Sequence, residues 1–174
     1  MSGGIVSTVL PATLMAAAVL AVAPVTAQSA ASAALKIDKP SMHLGEIAAF
    51  AELVGIGTKR LAFSDVLSPE EAAQILPEAE RIAHSNGVQI YREPDLIVTD
   101  LFPADIAKGK VVLLIYKGST LEEYLALKRD KEALVRSGAY AGKAREQIAW
   151  RLGKLLSYPD AGIAGLLKKN TVRE

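Results

Sequence analysis

The chain reads as a small α/β protein: a two- or three-layer sheet of about four strands with flanking helices and a helical C-terminal tail, behind an apolar N-terminal leader. Three observations predict it. Residues 111–115, Val-Val-Leu-Leu-Ile, form an unbroken apolar run of strand length, as in a central strand covered on both faces. Strand-type runs alternate with stretches of helical spacing. The pattern Ser-x-x-Glu, which caps helix N-termini, occurs at Ser68 with Glu71 and again at Ser119 with Glu122, each time shortly after a strand-type run.

The elements follow in order. Residues 43–54 place Leu44, Ile47, Ala48, Leu53 and Val54 at near-helical spacing, closed by Gly55 and Gly57. Residues 59–64 carry Leu61 and Phe63 and predict a strand. Ser68-Pro69-Glu70-Glu71 then opens a helix with the stripe Ala72, Ile75, Leu76, Ala79, Ile82 and Ala83, which Pro77 should kink or split. Residues 88–91 and 96–99 are short β-type runs joined by Arg92-Glu93-Pro94-Asp95, the chemistry of a hairpin or bend. Residues 110–116 are the strongest strand, and the helix behind them should reach residue 135 or 136, ahead of Gly138. From Ala139 onward Ala144, Ile148, Leu152 and Leu155 share a helical stripe, with Trp150 on another. Pro159 opens a last helix through Leu167, and Lys168 and Lys169 suit its C-terminal dipole. The two strand, turn, Ser-x-x-Glu, helix stretches are read either as an internal duplication or as the ordinary form of a βα unit.

A length of 174 residues fits one domain, or one domain plus a targeting segment, and 51% hydrophobic residues are enough for a core. The organisation expected is a signal peptide or apolar leader over 1–27, a linker over 28–41, and a single α/β domain over 42–174. The sequence holds no cysteine, which excludes disulfides, thiolate catalysis, zinc–thiolate sites, iron–sulfur clusters and a lipoprotein anchor. The net charge of +1 conceals an asymmetry: residues 28–100 carry six basic and eleven acidic side chains, residues 101–174 fourteen and eight. Such a dipole steers an anionic partner or a second copy, or it reflects unevenly charged solvated helix faces. A basic excess this small, with few aromatics interleaved, does not point to nucleic acid.

Residues 1–35 contain no charged side chain. Val25-Thr26-Ala27 places small residues where a signal peptidase would cut before Gln28, which predicts an extracytoplasmic domain, periplasmic or secreted. The leader lacks a basic n-region, however, while Lys36 and Lys39 follow it, and for an uncleaved helix that favours a membrane-anchored protein with a cytoplasmic domain. A third reading starts translation at Met42 and leaves a cytoplasmic protein. The membrane is expected as a partner only through this segment.

In the tail, the run Arg151-Leu152-Gly153-Lys154-Leu155-Leu156-Ser157-Tyr158-Pro159 followed by Ile163 resembles a motif of an uncharacterised prokaryotic family, in which Leu-Leu-Gly-Tyr-Pro precedes a cysteine pair. The likeness covers under a fifth of the chain. This sequence carries Asp160-Ala161-Gly162 where the cysteines would stand, so no metal or redox role transfers with it.

Candidate sites come from the strand ends, where loops of a mostly parallel sheet converge; these offer Ser64 and Asp65, Arg92 and Glu93, Thr99 and Asp100, and residues 116–120. Lys117, Ser119 and Thr120 offer an ammonium and two hydroxyls at a helix N-terminus, fit for phosphate or carboxylate, though an ordinary helix cap has the same composition. The spacing is not that of a P-loop. Arg92, Glu93 and Asp100, with Asp95, supply an arginine for an anion and carboxylates for acid–base chemistry or a hard cation; solvated turns are built from the same residues. His43 and His84 are the only imidazoles, and neither has a companion at a spacing such as His-x-x-x-His, so each is expected as a surface or helix-end residue. No cofactor motif and no nucleophile elbow is present. The expectation is therefore a binding or interaction module for an anionic ligand or protein partner, with a small enzyme acting on an anionic substrate as the alternative.

Overall fold

The computed structural model describes residues 38–171; the leader over 1–27 and the linker as far as residue 37 lie outside the described residues. Helix α1 (Lys39–Gly55) is opened by Asp38, whose carboxylate accepts from the Ser41 amide at 3.1 Å, with Pro40 in the first turn. It begins ahead of the expected start at His43, so the last residues assigned to the linker are helical. A chain starting at Met42 would lack this cap. The buried stripe is His43, Ile47, Ala51 and Val54, and Leu44, Ala48 and Leu53 are only partly covered.

Strand β1 (Leu61–Phe63) leads into α2 (Pro69–Ser85), then β2 (Gln89–Glu93), β3 (Val112–Tyr116), α3 (Thr120–Arg136), α4 (Gly142–Leu155) and α5 (Asp160–Lys169). The described residues hold a three-stranded sheet of order β1-β3-β2. Both outer strands run antiparallel to β3: Leu61 and Gln89 each oppose Tyr116, Phe63 opposes Leu114 and Glu93 opposes Val112. The expectation of about four mostly parallel strands is corrected on both counts. β1 and β2 are parallel to one another, linked by α2, but β3 lies between them in the opposite sense, a split β-α-β arrangement.

The missing strand is residues 96–99. Pro94 bends the chain, the Glu93 carboxylate accepts from the Asp95 amide at 2.8 Å, and the Ile97 amide donates to the Tyr124 hydroxyl at 3.1 Å. Side chains therefore take backbone donors that a ladder would otherwise need, and no hairpin forms.

Alternate residues of β3 enter opposite cores, as the period of two requires. Leu113 and Ile115, with Val111 beside them, pack with Ile47, Ala51 and Val54 of α1 and Ile75 and Ala79 of α2. Val112 and Leu114 pack with Tyr124 and Leu127 of α3, Ile148 and Leu152 of α4 and Ile163 of α5. Helices thus cover both faces, in three layers. Each fully buried Val or Leu contributes about 1.5–3 kcal/mol, so β3 is the densest source of stability per residue in the sheet.

The Ser68–Glu71 capping box is formed, with the Glu71 amide donating to the Ser68 hydroxyl at 3.1 Å and the Ser68 amide to the Glu71 carboxylate at 2.8 Å. α2 runs through Pro77 as one helix, because that ring lies on the exposed side, where the freed carbonyl faces water. The second box does not form. Ser119 precedes α3 at ψ 9° and makes no side-chain cap bond. α4 and α5 meet at a tight turn in which Ser157 adopts φ 62°. Gly153 permits it: a Cβ there would stand 2.7 Å from Cγ1 of the fully buried Ile163. The run that resembles the prokaryotic family is thus a helix–helix turn with its close-packing glycine.

Candidate functional site

The antiparallel sheet divides the expected site residues between its two ends. Lys117, Ser119 and Thr120 follow β3 at the end where Tyr116 opposes Leu61 and Gln89. There the Lys117 ammonium donates to the Gly55 carbonyl at the end of α1, at 3.1 Å, and the Thr120 hydroxyl donates to the Lys117 carbonyl at 3.0 Å. Glu93 ends β2 at the opposite end of the sheet, beside Val112, with Arg92 exposed next to it. The register therefore does not bring Lys117, Ser119 and Thr120 together with Arg92 and Glu93.

Glu93 is 2% exposed and fully engaged. Its carboxylate accepts from the Tyr124 hydroxyl at 3.0 Å, the Lys128 ammonium at 3.1 Å and the Asp95 amide. Lys128 also donates to the Asp95 carbonyl and pairs with its carboxylate. Burial opposes the charge on Lys128, but its bonds to Glu93 and Asp95 prevail and raise its pKa above the ordinary lysine value. Burial pushes the Tyr124 hydroxyl far above the usual phenol range. Asp100 receives a two-pronged bond from Arg145, 2.9 Å from Nε and 2.6 Å from Nη2, and its carbonyl accepts from Asn170. These carboxylates tie β2 and the connection after it to α3 and α4, and the Asp100 carbonyl ties the connection to the end of α5.

Open clefts border Asp95 with Lys128 and Asp100 with Arg145, and another lies beside β1. The cleft beside β1, of about 220 Å³, is walled by Phe50 of α1, Phe63 of β1, Phe102 of the β2–β3 connection, and Leu156 and Tyr158 of the α4–α5 turn, with Lys59 and Asp65 as its charged members. Lys59 donates to the Leu156 carbonyl at 2.9 Å and lies 5.9 Å from the centre of the Phe50 ring and 5.3 Å from that of Tyr158. Burial holds its pKa below the ordinary lysine value, and among the described residues no carboxylate pairs with it. The neighbouring Arg60 amide donates to the Ser157 hydroxyl at 2.8 Å, clamping the start of β1 to the α4–α5 turn.

Beside Asp65 the fold assembles a group that no local pattern announces. His43 and Glu46 lie one turn apart on α1, and Asp65 follows β1; their candidate ligand atoms all fall within 4.8 Å of one another. His43 Nδ1 is 3.7 Å from Asp65 Oδ2, and the Asp65 amide donates to Glu46 Oε2 at 3.2 Å. Burial raises the Glu46 pKa, the bond from Asp65 lowers it, and the Asp65 charge raises it again. The signal available in the sequence was the i, i+3 spacing of His43 and Glu46, which puts both on one helical face. Asp65 carries no such signal, since only the return of β1 past α1 brings it there. Likewise Lys59 stands in a strand-type run and gives no hint of its aromatic neighbours. Among the described residues no helix is long and apolar enough to cross a membrane. No family model, curated protein or solved structure matches the chain.

Proposed function

We propose that the domain is a binding module for a small organic anion with an apolar body, taken into the cleft beside Lys59. The observation that carries this reading is a partly buried ammonium without a carboxylate partner in a largely apolar, aromatic cleft. A carboxylate placed there replaces water at a desolvated cation while its hydrocarbon part covers Phe63, Phe102 and Tyr158, so charge and apolar burial act together. The volume is below the roughly 300–1,000 Å³ of drug-sized sites, which favours a ligand the size of benzoate or a short-chain acid. Of the strand-end residues offered by the sequence, Ser64 and Asp65 line this cleft, whereas Lys117, Ser119, Thr120, Arg92, Glu93 and Asp100 do not.

Titration of the full chain with benzoate, hexanoate and benzylamine, followed by amide shifts in NMR spectra, tests the reading. Benzoate and hexanoate should shift resonances around Phe63 and Tyr158, and benzylamine should not. Lys59→Met keeps the stem and removes the charge, and should weaken benzoate at least tenfold, with Lys59→Arg recovering most of the loss. Equal binding of benzylamine, or undiminished benzoate affinity in Lys59→Met, would overturn it.

A further inference from the structure

We infer that His43, Glu46 and Asp65 form a binding site for a divalent transition-metal ion, zinc or manganese, that joins α1 to the loop after β1. The inference concerns a different set of side chains from Lys59 and stands whether or not the cleft takes an anion.

The first observation is convergence. One imidazole nitrogen and two carboxylates come together from two separated segments, with candidate ligand atoms within 4.8 Å of one another. Two atoms bound about 2.1 Å from a tetrahedral ion stand about 3.4 Å apart. The 3.7 Å between His43 Nδ1 and Asp65 Oδ2 is close to that separation, so a small side-chain rotation is enough to bring both onto one ion.

The second observation is independent of the acidic pair. His43 is 8% exposed, and its buried Nδ1 finds no hydrogen-bond partner. Buried polar atoms are nearly always satisfied, and an orphan imidazole nitrogen facing a carboxylate beyond hydrogen-bond length calls for something between them. A metal ion is electrostatically suited to that place, because it accepts the nitrogen lone pair on one side and both carboxylates on the other. The donor set also limits which ion it is. An imidazole with two carboxylate oxygens suits zinc, manganese or iron rather than calcium, which takes six to eight oxygens.

Access differs between the partners. Asp65 has a side-chain exposure of 59% against 10% for His43, so the ion enters from the Asp65 side, and water there completes its coordination. Three protein ligands with an open position is the pattern of sites that exchange ligands, in contrast to the closed four-ligand structural sites. The helical face is arranged for it. Ile47, one turn beyond His43, is fully buried, so the imidazole is set on a rigid, packed part of α1.

The full chain, stripped with a chelator, is titrated with Zn²⁺ in competition with a chromophoric chelator at neutral pH, and separately with Mn²⁺ while amide relaxation is followed. One equivalent of zinc is expected. Manganese should broaden resonances of the first turns of α1 and of residues around Asp65, and leave those around Lys117 unchanged. Asp65→Asn is isosteric and half-exposed, so it should fold and weaken zinc at least tenfold; His43→Asn should do the same or more. His84→Asn removes the other imidazole of the chain and should bind as the parent does. If His43→Asn does not fold, Asp65→Asn carries the test alone. Absence of competitive zinc binding, parental affinity in Asp65→Asn, or loss of binding in His84→Asn overturns the assignment.

Discussion

Glu93 ends one of the two strands that flank the N-terminal end of β3 and Asp65 follows the other, yet their surroundings are opposite. Glu93 accepts from a phenol, an ammonium and an amide, and is sealed between β2 and α3. Asp65 is largely exposed and faces a buried imidazole nitrogen that bonds to nothing, beside a cleft whose lysine lacks a carboxylate. Glu93, which the sequence offers for acid–base chemistry, is engaged on every side by fold contacts, and Asp65, offered only as one of several strand-end residues, stands where valence is unused. What separates structural from functional polar residues here is whether their partners are already supplied, and partners come from packing.

The same isosteric change at each position should break the symmetry between them most strongly. Glu93→Gln leaves the Lys128 ammonium short of its buried counter-charge and should cost about 3 kcal/mol of stability by urea unfolding. Asp65→Asn in metal-free protein should cost under about 0.5 kcal/mol, as exposed substitutions do. Comparable losses at both positions would mean that the Asp65 group is structural too.

That contrast also explains what was legible. The unbroken apolar run reads β3 correctly, because apolar residues at successive positions report coverage on both faces. The same run misled about direction. A strand covered on both sides is as well served by antiparallel neighbours, and reading β3 as parallel makes the strand ends converge and groups Lys117 with Glu93. Residues 96–99 looked like a strand because Leu96, Ile97 and Val98 are apolar, but their burial comes from packing near Tyr124. The cleft is out of reach for a simpler reason: its walls come from segments as far apart as Phe50 and Tyr158, and no local pattern joins them.

An open region can still be rigidly built, and Gly153 tests that. Gly153→Ala puts a methyl group against Ile163, which is fully buried and has nowhere to move. Replacing a helical glycine returns up to about 1 kcal/mol, and overpacking should exceed it, for a net loss of about 2 kcal/mol in urea unfolding. Because Leu156 and Tyr158 lie just beyond, benzoate affinity should fall together with stability. A stabilised variant would show that the α4–α5 turn yields and that the cleft wall is soft.

Lys59 supplies the pH dependence of the open region. Its pKa is held below the ordinary 10.5 by burial, so the free protein loses this charge at a lower pH than an exposed lysine would. The association constant for benzoate should be level at neutral pH. It should then fall about tenfold per unit once pH passes the depressed pKa, a slope of about 1.4 kcal/mol per unit. The folded state disfavours the charged form, so stability itself should rise slightly over the same window. A binding profile that stays flat to pH 10.5 would remove Lys59 from the anion's contacts.

The smallest effect comes from a pattern that occurs twice. Ser68 and Ser119 each stand three residues before a glutamate at a helix start, but only Ser68 is capped reciprocally. Pro69 excludes the α region for the residue before it, and Ser68 accordingly sits at ψ 158°, with its hydroxyl over the free amides. Ser119 follows Gly118, whose φ of 61° starts a tight turn that delivers the serine at ψ 9°, where the hydroxyl cannot reach back. Ser68→Ala should therefore cost about 1 kcal/mol and Ser119→Ala close to nothing, read from thermal unfolding of the two variants. Replacing Pro69 with alanine should shrink the difference, because it is the proline, rather than the tetrapeptide pattern, that holds Ser68 in the capping conformation.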